Sequence, residues 1–171
     1  MAAAKRNLKL WIWKKYNQLL SDFRLPIVEF FKIINFMKLT IFTDGGARGN
    51  PGNAGIGIVI KSGGKTVKEY GKYIGETTNN QAEYKALLSA LETACAMGAD
   101  EIDLFMDSEL IVKQLKGEYK VKNADLAPLY LKVHNLRVGF KRFTVTHVMR
   151  EKNKEADKLV NQAIDQYLKN K

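Results

Sequence analysis

FTDGGARGNPGNAGIGIVI, residues 42–60, sets one carboxylate between an apolar run and a glycine-rich stretch. Leu39, Ile41 and Phe42 read as a buried strand ending at Asp44, with Gly45, Gly46, Gly49 and Gly52 behind it. A P-loop needs Lys and then Ser or Thr after its last glycine. Here the loop closes Pro51-Gly52-Asn53-Ala54 and runs into another strand. GIGIVI, residues 55–60, lacks the third glycine and the following helix of a dinucleotide site. The glycines therefore read as freedom for the backbone to turn sharply and to approach a ligand closely, Gly45 and Gly46 first among them. Asp44 is left at the carboxyl end of its strand, where open α/β sheets place their sites.

Outward from this stretch the pattern is regular. Lys38–Asp44, Ala54–Ile60 and Thr66–Gly75 read as strands, the last two joined at Gly63-Gly64, a two-residue hairpin signal. Asn79–Met97, rich in Ala and Leu, reads as a helix stopped by Gly98. Glu101–Met106 is a buried strand, Glu109–Lys116 a short helix, and Leu126–Leu136 a further helix. Arg142–Val148 is a strand and Lys154–Leu168 a final amphipathic helix. Three strands followed by alternating helix and strand predict an α/β fold, a five-stranded mixed sheet with helices on both faces.

The chain of 171 residues carries 28 Lys and Arg against 18 Asp and Glu, a net +10 that favours a polyanionic partner. A single cysteine, Cys95, excludes an intrachain disulfide and fits a reducing cytoplasm. With only His134 and His147 beside it, no zinc cluster can be assembled. The composition breaks near residue 37. Residues 1–36 hold Trp11, Trp13, Tyr16, Phe23, Phe30, Phe31 and Phe36 and read as a basic, aromatic helical extension. Leu8, Ile12, Leu19, Leu20 and Phe23 recur at helical spacing, and Pro26 opens a second short helix. Lys14 and Lys15 interrupt any signal-peptide core, and no apolar run is long enough to span a bilayer. Contact of this extension with a membrane surface, a nucleic acid or a partner stays open. Residues 37–171 form the compact domain, expected to be monomeric.

Three further acids are placed as oddly as Asp44. Glu83 shares the apolar helical stripe of Leu87, Ala90 and Ala94. Asp107 ends the buried run IDLFMD, and Asp157 flanks the apolar face of the last helix beside Val160, Ile164 and Leu168. Singly, each has an ordinary reading: a helix cap for Asp107, a helix-dipole partner for Asp157, a lysine pair for Glu83. If the first and fourth strands are parallel neighbours, however, all four carboxylates meet at one sheet edge. Such a cluster repels itself unless protonated or neutralised by cations. Oxygen-only donors suit Mg²⁺, with Mn²⁺ as a substitute. A pair of these ions about 4 Å apart is the arrangement of phosphodiester hydrolysis.

FTDGGARGNPG, TTNNQAEYKALLSALE, LFMDSELIVKQLKGEYKVKN and HVMREKNKEADKLVNQA, in this order, resemble type 1 ribonuclease H across residues 37–171. The resemblance implies the ribonuclease H-like fold. It also implies metal-dependent endonucleolytic cleavage of the RNA strand of RNA/DNA hybrids, leaving 3′-hydroxyl and 5′-phosphate ends. Asp44, Glu83, Asp107 and Asp157 fall on that family's metal-binding acids. Asn50, Asn79 and Asn80 fall where its members read RNA 2′-hydroxyls, which amides can both donate to and accept from. Helix capping is the alternative for Asn79 and Asn80. Thr78 matches a threonine that holds a DNA-strand phosphate, although Glu76 stands where some members have arginine. The catalytic-loop histidine of many bacterial members is missing, and His147 reads as a structural strand residue. Arg150 sits seven residues before Asp157, as in members that use arginine there to help the scissile phosphate or product depart. Of the basic handle, Lys116, Lys120, Lys122 and Asn123 remain around Tyr119 as a DNA-strand contact. A hybrid-binding module that does not cleave, an integrase-like nuclease and a nuclease that also takes double-stranded RNA are the alternatives.

Overall fold

The computed structural model describes residues 36–170. The helices expected within residues 1–36 therefore lie outside the described residues. Among the described residues the chain runs β1 (Lys38–Gly49), β2 (Gly52–Ser62), β3 (Lys65–Thr77), α1 (Asn79–Met97), β4 (Glu101–Met106) and α2 (Glu109–Lys116). It continues through α3 (Ala127–Arg137), β5 (Arg142–His147), a 3₁₀ turn (Arg150–Lys152) and α4 (Lys154–Lys169). The strands form one mixed sheet in the order β3-β2-β1-β4-β5. β1, β2 and β3 are antiparallel neighbours, and β4 and β5 continue parallel to β1. Gly63 and Gly64 close the β2–β3 hairpin with φ of 56° and 79°, conformations that glycine adopts without a Cβ clash.

The sheet buries a different layer on each face, as the period of two along a strand requires. Leu39, Ile41, Ile56, Ile58, Ile60, Ile102 and Leu104 meet Leu87, Ala90 and Leu91 of α1 in the main core. The opposite face of β1–β3 takes α4, whose Ala156, Val160, Ala163 and Ile164 are buried. Val160 and Ile164 contribute about 2 kcal/mol each by leaving water.

The decisive stretch differs from its sequence reading in two respects. β1 does not stop at Asp44: it runs on through the glycines to Gly49, paired with β2 out to Gly52, and only Asn50-Pro51 turns. The glycines, moreover, admit helices to the sheet. A Cβ on Gly57 would stand 2.1 Å from the Ala156 carbonyl oxygen, and one on Gly71 would stand 2.4 Å from that of Leu159. A Cβ on Gly45 would lie 2.2 Å from the Ala82 carbonyl carbon of α1. Backbone-to-backbone packing this tight is available to glycine alone.

Asp44 owes its accessibility to a step in the sheet. β1 and β4 are paired only as far as Phe42 and Phe105, whereas Asp44 is still paired with Gly57 on its other side. Past that point β1 has a neighbour on one side, and a crevice opens at the carboxyl end of the parallel strands.

Candidate active site

Four elements deliver four carboxylates to this crevice. Asp44 comes from β1, Glu83 from the start of α1, Asp107 directly from the end of β4, and Asp157 from the first turn of α4. The start of α1 is fixed by Thr78, whose hydroxyl accepts the Gln81 N–H at 3.4 Å while the Gln81 side chain accepts the Thr78 N–H. This reciprocal box satisfies two donors that a helix start leaves open. Capping therefore falls to Thr78 and not to Asn79 or Asn80. Asn79 instead joins α1 to the β1–β2 turn: its N–H donates to Asn50 Oδ1 at 3.2 Å, and its own Oδ1 accepts the Ala47 N–H at 3.3 Å. Asn80 is exposed beside it.

The acids are held by Arg150 and by three residues that the sequence reading passed over, Ser108, Asn153 and Asn161. Ser108 stands at the N-cap of α2 yet makes no side-chain cap bond; its hydroxyl donates to Glu83 Oε2 at 2.7 Å. Asn153 stands at the N-cap of α4 and likewise makes no cap bond. Its Nδ2 donates to Asp107 Oδ1 and to the Thr43 carbonyl oxygen, both at 3.0 Å. Arg150 Nη2 lies 2.5 Å from Asp157 Oδ1, and Asn161 Nδ2 donates to Asp157 Oδ2 at 3.3 Å. Ser and Asn at helix starts read as caps in a sequence, and no local signal says that they reach elsewhere.

Burial and mutual repulsion govern the protons here. Burial first, and then the charges of Asp107 and Asp157, push Asp44 up to about 6, against the Gly45 N–H and Arg150. Burial likewise pushes Glu83 up to about 7, with Asp44 and Asp107 adding to it and the Ser108 hydroxyl opposing. These mutual effects show that the four acids share one field. Among the described residues no three His, Cys, Asp or Glu side chains form a ready metal cage. The donors are nonetheless all oxygen. Mg²⁺ is held typically by one or two carboxylates, its shell completed by waters and phosphate oxygens. The donor set fits a divalent cation of that kind.

A pH dependence follows, with its sign. A carboxyl whose folded value is raised stabilises fully below its ordinary value and loses that contribution as pH rises through the folded value. For Asp44 and Glu83 the window runs from ordinary values of 3.8 and 4.5 up to about 6 and 7. A tenfold change in proton affinity is worth about 1.4 kcal/mol. In EDTA, the melting temperature of wild type relative to Glu83→Gln should therefore fall between pH 4.5 and 7.5. Added Mg²⁺ should raise it more at pH 7.5 than at pH 5. A difference curve that stays flat across this range would contradict the shared field.

Lys120, Lys122 and Asn123 lie on the connection between α2 and α3 rather than among the acids. Asn123 has a structural task there, its Oδ1 accepting the N–H of Asp125 at 2.8 Å and of Leu126 at 3.2 Å to open α3. Tyr119 is half exposed, with Lys113 Nζ 4.9 Å above its ring. His147 is a strand residue, as its sequence reading has it: it ends β5, exposed, with Nε2 3.2 Å from the Asp107 carbonyl oxygen. It thus borders the acid cluster.

Residues 42–163 match the family model described as reverse transcriptase-like. Ribonuclease HI of Halobacterium salinarum is 46% identical over 129 residues, which are 75% of this chain and 65% of that protein. A bifunctional protein of Mycobacterium tuberculosis is 43% identical over 131 residues, 75% of this chain and 36% of its own length. The chain spans less than two thirds of either curated relative. Among solved structures, LC11-RNase H1 in complex with an RNA/DNA hybrid matches with a TM-score of 0.72 at 49% identity, over 76% of this chain and 99% of that one.

Proposed function

The chain belongs to the type 1 ribonuclease H family, and on that premise we propose that it hydrolyses the RNA strand of RNA/DNA hybrids, leaving 3′-hydroxyl and 5′-phosphate ends. The observation that carries the reading is the convergence of Asp44, Glu83, Asp107 and Asp157 at the step in the sheet, where burial and mutual repulsion push two of them well above the carboxylate range. A pure binder of phosphates gains nothing from a cluster of like-charged acids. A metal-assisted hydrolase needs one.

The residues divide the work. Asp44, Glu83, Asp107 and Asp157 would hold two Mg²⁺ ions, which when bound supply water activation and stabilisation of the leaving oxygen. Ser108 and Asn153 keep Glu83 and Asp107 aimed into the crevice. Arg150 neutralises Asp157 while no phosphate is present and offers the same guanidinium to the phosphate or the product. Asn50 and Asn79, stitched together across the β1–β2 turn, and Asn80 beside them present amides to the RNA 2′-hydroxyls. The Gly45 and Gly46 backbone lies along the same edge. Thr78 serves α1 as cap and the DNA strand as phosphate contact, with Lys120, Lys122 and Asn123 as a second contact. The parallel with LC11-RNase H1, solved with a hybrid, supports this choice of substrate.

The test is a cleavage assay in Mg²⁺ on hybrid, double-stranded DNA and double-stranded RNA of one sequence, with the product ends identified. Hybrid cleavage with 5′-phosphate products is expected. Cleavage of DNA as fast as hybrid would favour the integrase-like alternative, and hybrid binding without cleavage would favour the binding module. A companion variant reads strand choice. Asn80→Ala should weaken hybrid binding about fivefold, the loss of one hydrogen bond of about 1 kcal/mol. Its affinity for duplex DNA and its melting temperature should stay where they are. An equal loss on hybrid and DNA would remove Asn80 from RNA recognition.

A further inference from the structure

Asn153 breaks a local rule. An asparagine at a helix N-cap satisfies a backbone N–H of the first turn and contributes about 1 kcal/mol in doing so. Asn153 makes no such bond, although it is 1% exposed and begins the sixteen-residue helix α4. Its amide nitrogen is spent on Asp107 Oδ1 and the Thr43 carbonyl oxygen, while its own Oδ1 is buried without a hydrogen-bond partner. A buried, unsatisfied amide oxygen costs about 1–3 kcal/mol. The local structure is thus worse off twice, and what it obtains is one side chain joining three elements at the crevice. Thr43 immediately precedes Asp44, Asp107 ends the β4 run, and Asp157 follows Asn153 by one helical turn.

Resting on the nuclease reading above, we propose that Asn153 is a positioning residue for the reaction. Its donated hydrogen bond commits Asp107 Oδ1, so that Oδ2 is the oxygen turned to an incoming cation. Its bond to Thr43 sets the height of α4, and hence of Asp157, against β1. It touches neither substrate nor reacting atoms. Ser108 is the parallel case, a second N-cap side chain that forgoes its helix for an acid, Glu83. Two diverted caps at one site form a pattern that helix propensity does not explain.

Two substitutions separate positioning from helix-starting. Asn153→Asp keeps shape and is as good a cap as asparagine, with charge suited to a helix start. It cannot donate to Asp107, however, and sets a carboxylate against it. Asn153→Ser is uncharged and folds even if the aspartate is too costly to bury. Each purified full-length variant would be followed for melting temperature with and without Mn²⁺ and for cleavage of the hybrid. A positioning role predicts kcat lower by about ten- to a hundredfold, the usual range for residues that orient metal-binding side chains. KM for the hybrid should stay within about twofold, because the binding surface is untouched. The rise in melting temperature on adding Mn²⁺ should shrink in both variants, a readout that requires no catalysis. Wild-type kcat in Asn153→Ser would overturn the proposal. So would a loss of kcat in Asn153→Ser that comes with an undiminished Mn²⁺ shift, which would mark a general structural role. If wild type itself fails to cleave the hybrid, the nuclease reading falls, and the Mn²⁺ shift alone still decides for or against Asn153.

Discussion

Asp44→Asn should bind RNA/DNA hybrid with nearly wild-type affinity and cleave it at least about a thousandfold more slowly in Mg²⁺. Metal-assisted stabilisation of charge in the transition state is worth several kcal/mol, and about 4 kcal/mol is already a factor of a thousand. Asp44 is the acid whose field meets both Asp107 and Asp157, and it would be one of the carboxylates that hold the cations. The surface proposed to contact the hybrid lies elsewhere, on the asparagine turn and the α2–α3 connection, and the amide would leave it intact. The variant should also melt no lower than wild type at pH 7.5 without metal. Removing one of several mutually repelling charges relieves the cluster. Gel-shift binding in EDTA beside a time course in Mg²⁺ measures both halves. A wild-type time course would sink the metal-hydrolase reading outright.

Gly57→Ala should be among the most destabilising single-methyl additions available to this fold. The new Cβ would stand 2.1 Å from the Ala156 carbonyl oxygen and 3.0 Å from its carbon. Both are backbone atoms in the first turns of a helix, and no rotamer change relieves them. α4 must lift from the sheet, exposing part of the surface that Val160 and Ile164 bury. A cost of about 3 kcal/mol or more is expected, at the high end for overpacking. For a domain of this size that is a drop of roughly 10 °C in melting temperature. Gly46→Ala is the internal control, since its Cβ would meet only a Val160 side-chain carbon at 3.2 Å. It should shift melting far less. Should Gly57→Ala melt within about 2 °C of wild type, the close seat of α4 would be wrong.

Local signals carried much of this architecture. α1, β4 and α2 begin and end where Gly98, Gly117, the IDLFMD run and the apolar stripes put them. The Gly63-Gly64 turn is read as easily, because a two-residue hairpin needs positive φ at both positions. The acids were legible for a related reason: a carboxylate in an apolar stripe or at the end of a buried strand conflicts with its surroundings. What escaped was everything that depends on distant chain. Gly45, Gly46, Gly55 and Gly57 gave no sign of their purpose, room for α1 and α4, because for some of them the partner segment lies more than a hundred residues away. Ser108 and Asn153 drew no reading of their own, because serine and asparagine are ordinary residues at a helix start. Only the folded chain shows that their partners are Glu83, Asp107 and Thr43. Strand patterning placed His147 in β5 but said nothing of its closeness to Asp107.

The delivery of the four acids by β1, α1, β4 and α4 has a consequence for how activity is acquired during synthesis. The chain leaves the ribosome amino end first, and domains fold as their segments become available. Asp44, Glu83 and Asp107 emerge early, but the helix bearing Asp157 is the last element among the described residues. Until it emerges, the glycine-lined face of β2 and β3 stays wet, and Asn153 is not there to hold Asp107. A nascent chain at that stage would carry three unbalanced acids and no complete centre. Hybrid cleavage would therefore switch on late and in one step, making it a sensitive reporter of finished folding: a released fragment ending before residue 153 should be silent even where its amino-terminal strands have paired.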